Sequence, residues 1–283
     1  MNTNISKLIE KNSDLLANHN REYLDKKCCS LPTVETVSRI VALVSETIFP
    51  GYLGTSTIAS DLLKSHISIN LEQIYTLLLD QVERALRFDD GECCEKRCAG
   101  EITELFVDSI AELKEILVSD VEAMYKADPA ATSYGEVIFC YPSIVAMCHH
   151  RIAHKLYELG VPIIPRIISE IAHSRTGIDI HPAAKIGRHF AIDHGTGVVI
   201  GETCIIGEYV VIYQGVTLGA KGFRYDEDGN IINLPRHPII EDNVKIYSNS
   251  SILGRITIGH DSVIGGNMWI DSDVEPHSKI VQR

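Results

Sequence analysis

No apolar run in this 283-residue sequence approaches the roughly 18 residues that a membrane-spanning helix needs. The polar opening "MNTNISKLIEKN" lacks the charged-then-apolar order of a signal peptide. Positive charge is also scarce: 26 Lys and Arg against 38 Asp and Glu leave a formal net charge of −12. That balance disfavours nucleic acid and anionic membranes, since both reward positive surfaces; an anionic ligand needs a local basic cluster instead. No P-loop and no GxGxxG turn is present. Eight cysteines stand at 28, 29, 93, 94, 98, 140, 148 and 204. Without an export signal they read as reduced thiols of a cytoplasmic protein. The run "CCEKRC" at 93–98 has no second cysteine pair at a zinc-like spacing, so surface thiols are expected there and no metal.

What is present divides at about residue 175. The hydrophobic fraction of 45% and charged fraction of 23% are those of an ordinary globular chain. In "PTVETVSRIVALVSETIF" (32–49), Val34, Val37, Val41, Val44 and Ile48 recur at three-and-four spacing, which predicts a helix with Pro32 near its start. A second helix is predicted over 70–86, where Asn70 and Gln73 resemble a capping box. A third runs over 109–131 and stops at Asp128, because Pro129 disfavours helical geometry in the residue before it. A fourth spans 142–161 and closes at Gly160. Within it, His150 and His154 have an i, i+4 metal-pair spacing without a HExxH glutamate, so packing and solvent contacts are expected of them and of His149.

Beyond residue 176 the period changes to six. Isoleucine or leucine stands at 180, 186 and 192, then at 200, 206, 212 and 218, then at 240, 246, 252, 258, 264 and 270. Strands alternate by two and helices by 3.6; a period of six is the signature of a hexapeptide parallel β-helix. The rhythm breaks twice. It slips by two residues around Asp193-His194, and it opens into an insertion, "GAKGFRYDEDGNIINLPRHPI", at 219–239. Insertions in a solenoid leave as loops, often on the binding face. The expected organisation is therefore α+β: an all-helical domain over 1–175 and a β-helix domain over 176–283 with that inserted loop.

The segments "DIHPAAKIG" (179–187), "DHGTGVVIGET" (193–203), "VTLG" (216–219) and "RHP" (236–238), preceded by "DPAA" (128–131), resemble the serine acetyltransferase family. The resemblance covers roughly residues 120–270 and implies a left-handed β-helix, acetyl-CoA as acyl donor and L-serine as acceptor. The product it implies is O-acetyl-L-serine, made in the first step of cysteine biosynthesis. It also implies direct transfer without an acyl-enzyme, so Cys204 is expected to be a packing residue.

Serine's hydroxyl has a high pKa, so attack on a thioester needs a base, and an imidazole titrates in the useful range. The resemblance gives that role to His194, with Asp179 as the carboxylate orienting its ring. It places Asp128 and Asp193 near the substrate ammonium, Arg236 on the carboxylate and His237 beside the substrate. Gly219, Ala220, Ser248, Gly265 and Gly266 map onto the acetyl-CoA groove between subunits. Lys221, Arg224 and Lys245 are candidates for its phosphates on charge alone. The sequence departs from the family at Tyr247-Ser248-Asn249, where glycine and alanine are usual.

The expected assembly is a homotrimer or a dimer of trimers, with L-cysteine as feedback inhibitor. Family members usually continue past the last coil into a tail that docks on O-acetylserine sulfhydrylase. This sequence stops at "HSKIVQR", so no stable complex of that kind is expected. The rival reading is a related hexapeptide acyltransferase with another acyl-CoA or another small hydroxylated acceptor. A β-helix metal enzyme is disfavoured, because His181, His189, His194, His237 and His260 lack a recurring spacing.

Overall fold

Thr33 opens the long helical region. Its backbone is extended (φ −108°, ψ 133°) and its hydroxyl accepts from the Thr36 N–H at 3.3 Å, capping helix α2 (Val34–Ile48). The computed structural model describes residues 3–17, 31–54, 59–88, 98–222 and 225–282. Helix α1 (Thr3–Ala17) lies in a unit of its own, Met1–Leu31, and Pro32–Arg283 form a second. The second unit continues with α3 (Leu63–Phe88), α4 (Ala99–Ala127), α5 (Tyr134–Cys140), α6 (Pro142–Glu158) and α7 (Ile164–Thr176). Among the described residues, no helix is long and apolar enough to cross a membrane.

Two expected helix starts are corrected. Helix α3 begins seven residues before Asn70, which sits buried in its second turn with Nδ2 3.2 Å from His66 Nε2. An Asn that finds a partner one turn back no longer competes for the backbone, so the cap pattern is overridden. Helix α4 begins at Ala99, where Cys98 serves as the N-cap and accepts from the Glu101 N–H at 3.4 Å. Its end falls where the proline rule puts it: Asp128 is already extended (φ −107°, ψ 106°). Most of "CCEKRC", like Cys28 and Cys29, lies outside the described residues.

The three histidines of α6 do not converge on a common point. His149 Nδ1 lies 2.7 Å from the Val145 carbonyl, and His154 Nδ1 lies 2.7 Å from the Pro182 carbonyl, tying α6 to the first coil. Both His150 nitrogens are buried without a hydrogen-bond partner. Burial, the larger cause, pushes His149 down to about 4 and His150 well below its ordinary value. Unfolding raises these values again, so below about pH 6.5 the unfolded chain binds protons that the folded chain refuses. Stability is therefore expected to be complete above pH 7 and to fall steadily between about pH 6.5 and pH 4. Urea midpoints across that range check it, and a midpoint flat to pH 4.5 contradicts it.

Three parallel sheets wind around the column of aliphatic residues. Sheet 1 holds β1 (Asp179–Ile180), β4 (Val199–Ile200), β7 (Thr217–Gly219), β10 (Ser251–Leu253) and β13 (Trp269–Ile270). Sheet 2 holds β2 (Lys185–Ile186), β5 (Ile205–Ile206), β8 (Ile239–Ile240) and β11 (Thr257–Ile258). Sheet 3 holds β3 (Ala191–Asp193), β6 (Val211–Tyr213), β9 (Lys245–Ile246), β12 (Val263–Ile264) and β14 (Lys279–Ile280). The register stacks Ile180, Ile200, Leu218, Ile252 and Ile270 in one column, and Ile192, Ile212, Ile246 and Ile264 in another. Every six-residue position of the sequence pattern is buried, and the solenoid is the left-handed β-helix. The insertion leaves between β7 and β8, at the corner from sheet 1 to sheet 2.

Candidate active site

The two-residue slip falls at the corner from sheet 3 to sheet 1. His194 adopts φ 58° and Gly195 φ 81°, and later coils turn the same corner with left-handed Gly215, Asn249 and Asn267. A non-glycine residue in this region is uncommon, and here it turns the imidazole out of the wall. The side chain of His194 is 72% exposed, with Nε2 3.8 Å from Asp193 Oδ1, and Asp193 itself is largely covered. Gly195 has no room for a side chain, since a Cβ would lie 2.5 Å from Ile178 Cδ1.

Asp128, which ends α4, belongs to the same neighbourhood. One of its carboxylate oxygens accepts from the Tyr141 hydroxyl and the other from the Ala130 N–H at 2.8 Å. These bonds, Tyr141 first, hold its carboxyl below the usual carboxylate range, and the nearby His194 adds to the effect. Tyr141 is raised in turn to about 12, chiefly by its bond to Asp128. Asp193 pairs in register with Tyr213, which stacks on Tyr247 with ring centroids 4.8 Å apart. Tyr141 was not singled out from the sequence; its one signal was its place just before Pro142, at the start of α6.

A second cluster occupies the corner from sheet 1 to sheet 2. Arg236 donates through Nη2 to Glu202 and through Nη1 to Asn233 at 2.9 Å. Its backbone N–H, like that of His237, donates to the Thr203 hydroxyl. His237 is nearly buried, and its Nδ1 accepts from the Thr203 N–H at 3.1 Å, leaving Nε2 as the protonated nitrogen of the neutral ring. Burial, then the charge of Arg236, pushes His237 down to about 4. Gly201 is obligatory here, since a Cβ would lie 2.0 Å from the His237 ring. His181 joins the cluster: burial lowers its pKa, and Glu202, Asp179 and Arg236 all act on it. Glu202 and Thr203 were not predicted as site residues, because a turn Glu-Thr has no spacing signature of its own.

The predicted residues thus fall into two groups that do not touch. Among the described residues no hydrogen bond or ion pair joins Asp128, Asp193 and His194 to Arg236 and His237, and none joins Asp179 to His194. The carboxylate beside His194 is Asp193.

The donor-site candidates divide in the same way. Ser248 and Gly266 meet at the corner from sheet 3 to sheet 1, where a Cβ on Gly266 would lie 3.2 Å from the Ser248 carbonyl, and Gly265 accepts from Ser250 Oγ at 2.7 Å. Gly219 ends β7, with Ala220 following it towards the loop. Lys221 is already paired with Asp271 at 2.8 Å, and both line a cavity of about 490 Å³ with Arg236 and Leu234. Lys245 lies instead in a groove of about 620 Å³ beside Tyr213, Tyr247 and Lys126, and Arg224 is outside the described residues. Cys204 is buried, and burial pushes its thiol up to about 12, so it is no thiolate at neutral pH.

No protein-family model matches the chain. The plasmid serine acetyltransferase of Synechococcus elongatus is 43% identical over 287 residues, covering 98% of this chain and 89% of that protein. The serine acetyltransferase of Bacillus licheniformis is 48% identical over 167 residues, which is 59% of this chain and 74% of its own length. Among solved structures, serine acetyltransferase 1 of Entamoeba histolytica in complex with L-cysteine has a TM-score of 0.74 at 35% identity, covering 92% of this chain and 94% of that one. The Neisseria gonorrhoeae serine acetyltransferase in complex with serine has a TM-score of 0.56 at 28% identity, covering 90% and 96%.

Proposed function

The chain belongs to the serine acetyltransferase family, and from that premise we propose that it moves the acetyl group of acetyl-CoA onto the hydroxyl of L-serine by direct, base-assisted attack. His194 takes the hydroxyl proton as serine oxygen bonds to the thioester carbon, and the C–S bond breaks to release CoA. The imidazolium then returns the proton to the departing thiolate. Asp128 and Asp193 receive the substrate ammonium. Arg236 receives the carboxylate: bonds to Glu202 and Asn233 leave its Nε–H and one hydrogen on each terminal nitrogen free. His237 offers its Nε2–H beside it. Asp179 keeps the ring-orienting role on the family resemblance alone.

One observation carries this reading. The groups suited to an ammonium and a proton sit at one edge of sheet 1, and the groups suited to a carboxylate sit at the other. A zwitterion needs both, so the complete site forms where the first edge of one copy meets the second edge of the next. The outward face of sheet 1 fits burial between copies, since it carries Val199 and Trp269, 37% and 67% exposed. A trimer about that face gives three such sites, with Gly219 and Ala220 of one copy across the acetyl-CoA groove from Ser248, Gly265 and Gly266 of another. L-cysteine presents the same ammonium and carboxylate, so it competes with serine there.

The test is thiol release from acetyl-CoA with and without L-serine. The native enzyme releases thiol only with serine. Arg236→Lys loses the planar two-point pairing and raises KM for serine about tenfold or more, a loss of about 1.4 kcal/mol per factor of ten, with a smaller change in kcat. Release that ignores serine overturns the acceptor, and an unchanged KM removes Arg236 from it.

A further inference from the structure

At the far end of the solenoid, His260, Asp261 and His277 bring two imidazoles and a carboxylate together. One ligand atom from each lies within 4.8 Å of the others. His260 and Asp261 turn the corner before β12, and His277 turns the same corner one coil later, before β14. His260 Nδ1 is 2.7 Å from Asp261 Oδ2, and His277 Nδ1 is 3.7 Å from that same oxygen. The two rings stand edge to face, with centroids 4.8 Å apart. Two features hold the corner in place from behind. The His260 N–H donates to Glu241 Oε2 at 2.8 Å, and the His277 N–H donates to the His260 carbonyl at 2.8 Å.

We propose that this cluster is a binding site for a borderline divalent transition metal, with zinc as the reference ion, which staples the last coil of the β-helix to the one before it. The donor set is two imidazoles and one carboxylate, which zinc, cobalt and nickel accept and calcium or magnesium do not prefer. A tetrahedral site with metal–ligand bonds near 2.1 Å needs its donors about 3.4 Å apart. The short His260–Asp261 contact must open slightly and the longer separations must close. Both histidines are solvent-facing side chains at a corner, so these shifts need rotamer changes and no movement of the wall. Water completes the coordination.

The position explains what the ion does. Sheet 2 ends at β11, and the rung that closes the solenoid is held there by β14 on β12 and the bridge from Val274 to Ile258. A solenoid's terminal repeat has a neighbour on one side only and frays first. A metal bridging residues 260–261 and 277 closes that repeat. It lies at the corner between sheets 2 and 3, whereas His194 lies at the corner between sheets 3 and 1, so it supplies no part of the acyl transfer.

The experiment titrates zinc chloride into the metal-free full-length protein by calorimetry, for native, His277→Ala, His260→Ala and the control His173→Ala on α7. Expected are one zinc per chain for the native protein and the control, and at least about 100-fold weaker binding in each of the other two. Loss of a mere outer-shell partner already costs tenfold to 100-fold at metal sites. Saturating zinc also raises the native melting temperature and leaves that of His277→Ala unchanged. Absence of stoichiometric binding, or equal binding by all four proteins, overturns the site. Binding lost in His277→Ala without any rise in native melting temperature overturns the staple.

Discussion

His194→Asn is expected to lower serine-dependent thiol release from acetyl-CoA by about 10²-fold to 10⁴-fold, the range associated with removing a positioned general base. Asparagine is the informative replacement. Position 194 has φ 58°, and asparagine adopts that left-handed conformation more readily than alanine, so the corner keeps its shape. An amide cannot take a proton from a hydroxyl at neutral pH. The side chain is 72% exposed within the chain, so its loss opens no core cavity and the melting temperature stays near that of the native protein. Folding and proton transfer are thereby separated. If the variant keeps more than a tenth of native activity, His194 is not the base.

The route to this residue shows how much of the molecule is legible in its sequence. Each coil repeats one stereochemical demand, an aliphatic side chain pointing inward at every sixth position, so thirteen such positions declare the fold. The slip at 193–194 was visible for the same reason: a strict rhythm exposes its own interruption. Helix starts were less readable, because capping depends on where a side chain finds a partner. Asn70 found His66 and Cys98 stood in as a cap, and neither follows from residue type.

The partners of the site residues were invisible too. Glu202 on Arg236 and Thr203 on His237 join neighbouring coils at one corner, and Tyr141 on Asp128 joins two helix ends, 34, 34 and 13 residues apart in sequence. The family resemblance set Asp179 beside His194, fifteen residues ahead of it in the chain. The first coil is twenty residues long in register, since Asp179 pairs with Val199, and the extra length comes from the slip itself.

Among the links between the helical region and the β-helix is a buried ion pair, and breaking it is the second large effect expected. Asp120 of α4 is fully buried. It accepts from Arg151 Nε and Nη2, both at 3.1 Å, and from the Phe190 N–H at 3.1 Å. Arg151 of α6 turns two of its three remaining N–H groups to the carbonyls of Ile186 and Gly187, at the end of β2 and just past it. One guanidinium thus satisfies a carboxylate on one helix and two backbone oxygens of the first coil. Arg151→Met fits the volume but leaves the carboxylate uncompensated, and removal of one partner of a buried pair costs about 3–5 kcal/mol. Urea unfolding at fixed protein concentration is expected to show that loss. The double variant Asp120→Leu, Arg151→Met removes the stranded charge and recovers part of the stability. Recovery stays incomplete, because the Phe190 N–H and the Ile186 and Gly187 carbonyls have lost their partners whichever side chain replaces the acid. A single variant within about 1 kcal/mol of the native protein would mean that water reaches Asp120 and that the other contacts between the helices and the first coil hold the joint.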